Sequence, residues 1–168
     1  MFSLVLLHPM IVHLPIGLWM TTPFLFTAAY MSGSSERARL FATVGTVNLL
    51  LGSIVAALAL LTGLLAASSL PLVGLAEGSL TRHIAWALVT SMVFGSMTLL
   101  RAVGCPFEAK PSASLLVCVW LFSVALVLTG HYGGTNVYGY GLGVDLQQAN
   151  HLAIHRPVSA PLPSGTQP

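Results

Sequence analysis

Four long apolar segments, separated by short polar ones, run through the chain at about residues 9–31, 40–67, 82–103 and 112–132. A helix needs about 20 mostly apolar residues to cross the hydrocarbon core of a bilayer. Each segment reaches this length, and residues 40–67 exceed it, so that helix is expected to tilt or protrude. The pattern predicts an all-α integral membrane protein, built as a four-helix up-and-down bundle.

The sequence divides into a transmembrane domain, residues 1–145, and a polar C-terminal tail, residues 146–168. The domain ends in a glycine-rich stretch, residues 133–143, which predicts a tight cap over the mouth of the bundle. The tail contains His151 and His155, four residues apart within a possible short surface helix, and is rich in Pro and Ser near its end.

The second segment carries small residues on adjoining helical turns: Gly45, Gly52, Ala56, Ala59 and Gly63. Small side chains let the backbones of membrane helices approach closely. This helix is therefore expected to serve packing and not chemistry.

Composition agrees with the membrane prediction. The chain has 168 residues, of which 55% are hydrophobic and 6% charged, whereas a soluble domain carries roughly 25% charged residues. The net charge of +2 is too small to indicate nucleic-acid binding. The first segment lacks a positive flank and is interrupted by Pro9 and Pro15, which is not typical of a cleavable signal.

Positive charges indicate the orientation of the bundle, because Lys and Arg concentrate in cytoplasmic loops. Two loops expected on the same side carry Arg37, Arg39, Arg101 and Lys110, and the opposite side carries Arg82 and Arg156. Both termini are therefore expected outside, which is the periplasm if the protein lies in a bacterial inner membrane.

Histidines are placed asymmetrically along the bundle. Alternating helix direction puts His13, His83 and His131 at the same face, with His8 just above them, and leaves the other half without any. A single histidine at a helix end is usually an interfacial residue. Several at one level favour a cofactor or metal site, because ligation gives a ring nitrogen a partner in apolar surroundings.

Haem b is the expected cofactor. Helix bundles hold cofactors between facing helices, and haem iron takes axial histidines. Gly17, Ala87 and Gly130 lie near histidines and leave room for a flat macrocycle, and Arg82 is placed to pair with its propionates. The favoured axial pair is His13 with His131 or His83.

Two rival interpretations stay open. The first is a copper or zinc site made by His8, His13, His83 and His131. The second is a structural or assembly subunit without a cofactor. No arrangement typical of an independent hydrolase is present, so an enzyme acting alone is not expected.

Both ends of the domain resemble a known family. The start, His8-Pro9 followed by Val12-His13 and Pro15-Ile16-Gly17-Leu18, and the end, Gly130-His131 followed by Gly133-Gly134 and Val137-Tyr138, are similar to the four-helix membrane family filed as domain of unknown function 2231. His83 falls where members tend to carry a histidine that opens the third helix. Members are joined to Rieske or cytochrome c domains, which implies a haem-linked redox role with other membrane or periplasmic redox subunits as partners.

The expected function is therefore that of a haem b electron-transfer subunit in a larger redox or photosynthetic complex. Because the histidines lie on one side, the haem is expected near the outer face. The expected exchange partner is a cytochrome c, a Rieske centre or a quinone at that face.

Overall fold

The computed structural model of the protein describes residues 4–69 and 74–142. Within these ranges the chain is helical and contains no strand. Its elements are α1 (Leu4–Ile11), α2 (His13–Met31), α3 (Glu36–Ser68), α4 (Leu75–Gly104), α5 (Ala113–Gly134) and a closing π-helical turn (Thr135–Gly139). The all-α prediction is confirmed. The tail, including His151 and His155, lies outside the described residues, and so does the predicted domain boundary.

Four stretches of the described residues are long and apolar enough to cross a membrane: Leu7–Met31, Glu36–Ser68, Leu75–Gly104 and Ala113–Gly139. The predicted number of spans is thereby confirmed. α2 and α4 each pack against both α3 and α5, and α1 packs against α3. The bundle is thus a closed ring of four helices. The first turns of α1 and α4 and the last turns of α3 and α5 lie at one end of it, which we call the histidine end.

The first span is interrupted at Val12, between α1 and α2. The ring of Pro15 removes the amide hydrogen that would bond to the carbonyl of Ile11, the residue at which α1 ends. Backbone bonds from Val12 N to His8 O (3.1 Å) and from Ile16 N to Val12 O (3.3 Å) bridge the break. The two segments therefore form one continuous but irregular span.

Two helices extend further than the sequence predicts. α4 begins at Leu75 instead of residue 82, so part of the predicted loop is helical; Gly74, with φ +72°, directs the chain into its first turn. α5 continues past residue 132 and widens into the π-helical turn. This turn ends at Gly141, whose φ of +66° and N–H bond to Val137 O (3.0 Å) close it. The glycine-rich stretch is thus largely helical.

The small residues of α3 receive aromatic rings from α2. A methyl group on Gly45 would lie 2.5 Å from the ring of Phe26, and one on Gly52 would lie 2.5 Å from Nε1 of Trp19. Both rings are buried in the core of the bundle. Such close contact is possible only because these positions lack a Cβ, which confirms the predicted packing role at Gly45 and Gly52.

A buried arginine organises the end of the bundle opposite the histidine end. Arg101, in the last turn of α4, is 4% exposed. Its guanidinium donates to Thr46 Oγ1 (3.0 Å), to Phe107 O (3.0 Å) and to Ala109 O. The buried guanidinium is therefore hydrogen-bonded to backbone carbonyls of the α4–α5 loop and to a hydroxyl group of α3.

Candidate cofactor site at the histidine end

A cavity of about 400 Å³ opens at the histidine end and reaches down to Trp19. Four of the α-helices that line it contribute mainly small or apolar side chains, and α1 contributes His8 and Pro9. The small residues of its wall are Ala56, Ala59, Gly63, Ala66, Ala67, Ala87, Gly130, Gly133 and Gly134. Ligand pockets are typically apolar clefts of roughly 300–1,000 Å³ with few polar groups, so this cavity is suited to a small organic ligand.

His8 is held by the backbone of α3. Its Nδ1 lies 2.8 Å from the carbonyl oxygen of Ala59. A carbonyl can only accept a hydrogen bond, so Nδ1 carries the proton. In a neutral imidazole the lone pair is then on Nε2.

His83 is held in the same way by α5. Its Nδ1 lies 3.0 Å from the carbonyl oxygen of Thr129, which again leaves the lone pair on Nε2. Neither Nε2 atom has a hydrogen-bond partner among the described residues. A backbone carbonyl on one ring nitrogen is the usual way in which proteins orient a metal-ligating histidine.

The two rings lie close together and edge-on in the lining of the cavity. Their centroids are 6.3 Å apart and their planes are inclined by 73°. Two imidazoles bound through nitrogen to opposite sides of one metal ion, with bonds of about 2.0 Å, have centroids about 6 Å apart. The observed spacing therefore fits one metal centre between the rings.

The floor of the cavity is aromatic. Trp19 stacks on Phe94 with ring centroids 4.5 Å apart and planes inclined by 13°. Both side chains are buried; Trp19 lines the cavity and Phe94 packs behind it. Higher up, the hydroxyls of Thr90 and Thr129 lie 3.0 Å apart in the wall.

The favoured axial pair is not the pair that the structure brings together. His13 lines the cavity but is exposed, and His131 is exposed and packs edge-on against Tyr132. His131 lies two residues, or about 200° around the helix, from both Thr129 and Gly133, which face the cavity. It therefore points away from the site, and the pair that meets is His8 and His83.

Of the other residues predicted to surround the cofactor, some line the cavity and some do not. Ala87 and Gly130 line the cavity as expected. Gly17 and Arg82 are exposed and are not part of its lining. Arg82 still lies at the histidine end, next to His83 in α4.

Within residues 4–69 and 74–142, no group of three or more His, Cys, Asp or Glu side chains is close enough to hold a metal ion. The copper or zinc site of four histidines is therefore not assembled among them. Two histidines and a roomy apolar wall suit a metal that brings its other ligands with it, as a macrocycle does.

The sequence alone missed the carbonyls of Ala59 and Thr129, and also Gly63 and Gly133, which lie against the two rings. A carbonyl acceptor has no signature in side-chain identity, so no sequence signal marks the first two. Asn136, whose amide could hydrogen-bond a ligand, is buried in the cavity wall; its Oδ1 has no hydrogen-bond partner among the described residues.

The family described as "Predicted membrane protein (DUF2231)" matches residues 5–146. This match confirms the resemblance found at the two ends of the domain. No curated protein and no solved structure shows a significant match to the chain.

Proposed function

The chain belongs to the DUF2231 family of predicted membrane proteins, and we propose that it is a haem b-binding electron-transfer subunit of a larger redox or photosynthetic complex. The family description names no activity, so the proposal rests on the site. A single observation carries it: the imidazoles of His8 and His83 meet at 6.3 Å in an apolar cavity, each oriented by a backbone carbonyl.

The residues of the cavity fit a planar macrocycle. The Nε2 atoms of His8 and His83 have no hydrogen-bond partner within residues 4–69 and 74–142, and the small side chains of α3 and α5 leave space beside the rings. The stacked pair of Trp19 and Phe94 closes the floor. Arg82, exposed beside His83, is available to pair with carboxylates at the histidine end.

Haem iron with two histidine ligands supplies one-electron chemistry. The chain contributes the binding, the orientation and the exclusion of water. Apolar walls and a pair of histidine ligands favour transfer of electrons over catalysis at the iron, so the protein is proposed as a carrier.

The site lies at one end of the bundle, so the protein does not carry electrons across the bilayer alone. We place this end at the outer, periplasmic face of a bacterial inner membrane, in keeping with the positive loops at the opposite end. The partner is then a cytochrome c, a Rieske centre or a quinone-linked subunit at that face.

The test is a reduced-minus-oxidised visible spectrum of the full chain, purified in mild detergent from haem-replete cells, with a pyridine haemochrome assay for stoichiometry. The wild type is expected to show a b-type α band at one haem per chain. The variants His8→Gln and His83→Gln are expected to lose it or to convert to high-spin haem, because an axial nitrogen is removed.

His131→Gln is the matched control, because this side chain points away from the cavity and its loss should leave the spectrum unchanged. A wild-type protein that is folded but contains no haem would overturn the proposal. Copper or zinc found instead by elemental analysis would support the metal-site rival, and an absence of any metal would support the structural subunit.

A further inference from the structure

We infer that Gly63 and Gly133 are positioning residues, and that they form two equivalent sockets that hold His8 and His83 with their Nε2 atoms turned to one ligand. The inference rests on the proposed function for the identity of that ligand. The position of the two rings is argued from contacts alone.

Each socket has the same construction. His8 donates to the carbonyl of Ala59, and Gly63 follows Ala59 by four residues; His83 donates to the carbonyl of Thr129, and Gly133 follows Thr129 by four residues. Residues four apart lie one above the other on a helix. The imidazole therefore reaches the carbonyl by passing over the position where the glycine has no side chain.

A side chain at either glycine would displace the ring. A methyl group on Gly63 would lie 2.8 Å from Cε1 and 2.9 Å from Nδ1 of His8. A methyl group on Gly133 would lie 3.0 Å from Cε1 and 3.3 Å from Nδ1 of His83. Both contacts are on the edge of the ring that donates to the carbonyl, so relief of the clash weakens that hydrogen bond.

The equivalence extends through the two halves of the bundle. Trp19 follows His8 by eleven residues and Phe94 follows His83 by eleven, and these two rings are stacked. Phe26 and Arg101 follow the same histidines by eighteen residues, and the guanidinium lies 5.8 Å from the ring centroid. Residues at equal distances from the two histidines, on α2 and α4, are thus in contact with each other.

This arrangement assigns a chemical class to the ligand. The two rings arrive from opposite halves with the same tautomer and the same type of backbone partner, so they offer two like nitrogen donors to a single centre. That donor set would suit the metal of a planar macrocycle, which supplies its other ligands, and disruption of one socket would weaken one of the two histidine contacts.

The experiment compares Gly63→Ala and Gly133→Ala with Gly95→Ala, in the full chain. Gly95 lies in α4 outside the cavity lining, and a methyl group there would meet nothing within 4 Å. Loss of a group that orients a metal ligand typically lowers affinity by roughly 10- to 100-fold. Haem affinity of both socket variants is expected to fall in that range, more for Gly63→Ala, with a shift from low-spin to high-spin electron paramagnetic resonance signals.

A second readout needs no haem. Histidine labelled with ¹⁵N, in the haem-free protein in detergent, is expected to show the Nδ1-protonated tautomer for His8 and His83. Gly63→Ala should alter the resonance of His8 alone, Gly133→Ala that of His83 alone, and Gly95→Ala neither. If Gly63→Ala does not yield folded protein, Gly133→Ala, where the contact with the histidine ring is less close, tests the inference by itself.

The two readouts separate the two proposals. A wild type without haem, but with the expected ¹⁵N pattern, would overturn the proposed function and support the sockets. Wild-type spin state, haem affinity and tautomers in the folded socket variants would overturn the sockets and leave the haem proposal standing.

Discussion

At the scale of single residues, the polar side chains that organise the two ends of the bundle are hydrogen-bonded to backbone carbonyls. His8 and His83 are oriented by Ala59 O and Thr129 O, and Arg101 is held by Phe107 O and Ala109 O. A buried polar group is expensive unless it is hydrogen-bonded, most of all within a membrane. At both ends of the bundle, buried or half-buried polar side chains are therefore held in place by hydrogen bonds to backbone carbonyls.

Arg101→Lys is expected to lower the free energy of unfolding by about 1–3 kcal/mol. The ammonium of lysine is a point donor and cannot reproduce the planar fork that bonds to Thr46, Phe107 and Ala109 at once. Thermal or denaturant unfolding in detergent, followed by circular dichroism, measures the change.

Arg82→Lys is the matched control, because it makes the same chemical change at an exposed site in the same helix. It is expected to alter stability by less than about 0.5 kcal/mol. Equal losses in the two variants would show that the bonds of Arg101 contribute nothing specific.

At the scale of the elements, α3 is the helix on which the bundle depends. Three glycines on one face of α3 contact rings of the first span: Gly45 contacts Phe26, Gly52 contacts Trp19 and Gly63 contacts His8. This face of α3 therefore allows the whole first span to pack closely against it. Its regular spacing was visible in the sequence. That its last glycine contacts a histidine was not, because the sequence shows which positions are small and not what fills the space.

Gly52→Ala is expected to destabilise the bundle by about 1–3 kcal/mol through overpacking. The added methyl would lie 2.5 Å from Nε1 of Trp19, and this ring cannot retreat because it is stacked on Phe94. Unfolding curves of the purified variant in detergent provide the measurement.

Gly95→Ala serves as its control in α4, where a new methyl group meets nothing within 4 Å. Alanine is the better helix former, so this variant is expected to match or exceed the wild type by up to about 1 kcal/mol. A stable Gly52→Ala protein would contradict the close approach of α2 and α3.

At the scale of the whole molecule, helix length and orientation determine where the site lies in the membrane. α3 has 33 residues and is therefore about 50 Å long, more than the roughly 30 Å of the hydrocarbon core. The excess is consistent with the predicted tilt or protrusion of this helix.

Reporter fusions are expected to place both termini outside. Alkaline phosphatase should be inactive when fused after Ser34 or Glu108 and active when fused after Pro168, because Arg37, Arg39, Arg101 and Lys110 lie in or next to the first two loops. Green fluorescent protein at the same positions should give the reverse pattern. Alkaline phosphatase that is active after Ser34 and inactive after Pro168 would show that the bundle has the opposite orientation, with the histidine end in the cytoplasm.

The class of protein, the four spans, the grouping of histidines at one end and the small residues of α3 could all be predicted from the sequence. These follow from local properties: the hydropathy and length of a segment, the helical period, and the alternating direction of successive spans. They need no knowledge of which side chains touch.

Which histidines meet could be learned only from the tertiary packing. The carbonyls that receive His8 and His83 belong to other helices, α3 and α5. His13 and His131 stand at the correct level but are exposed. The height of a residue along a helix axis can be predicted from its position in the sequence. The direction in which its side chain points depends on the rotation of the helix about its axis and on the neighbours that pack against it.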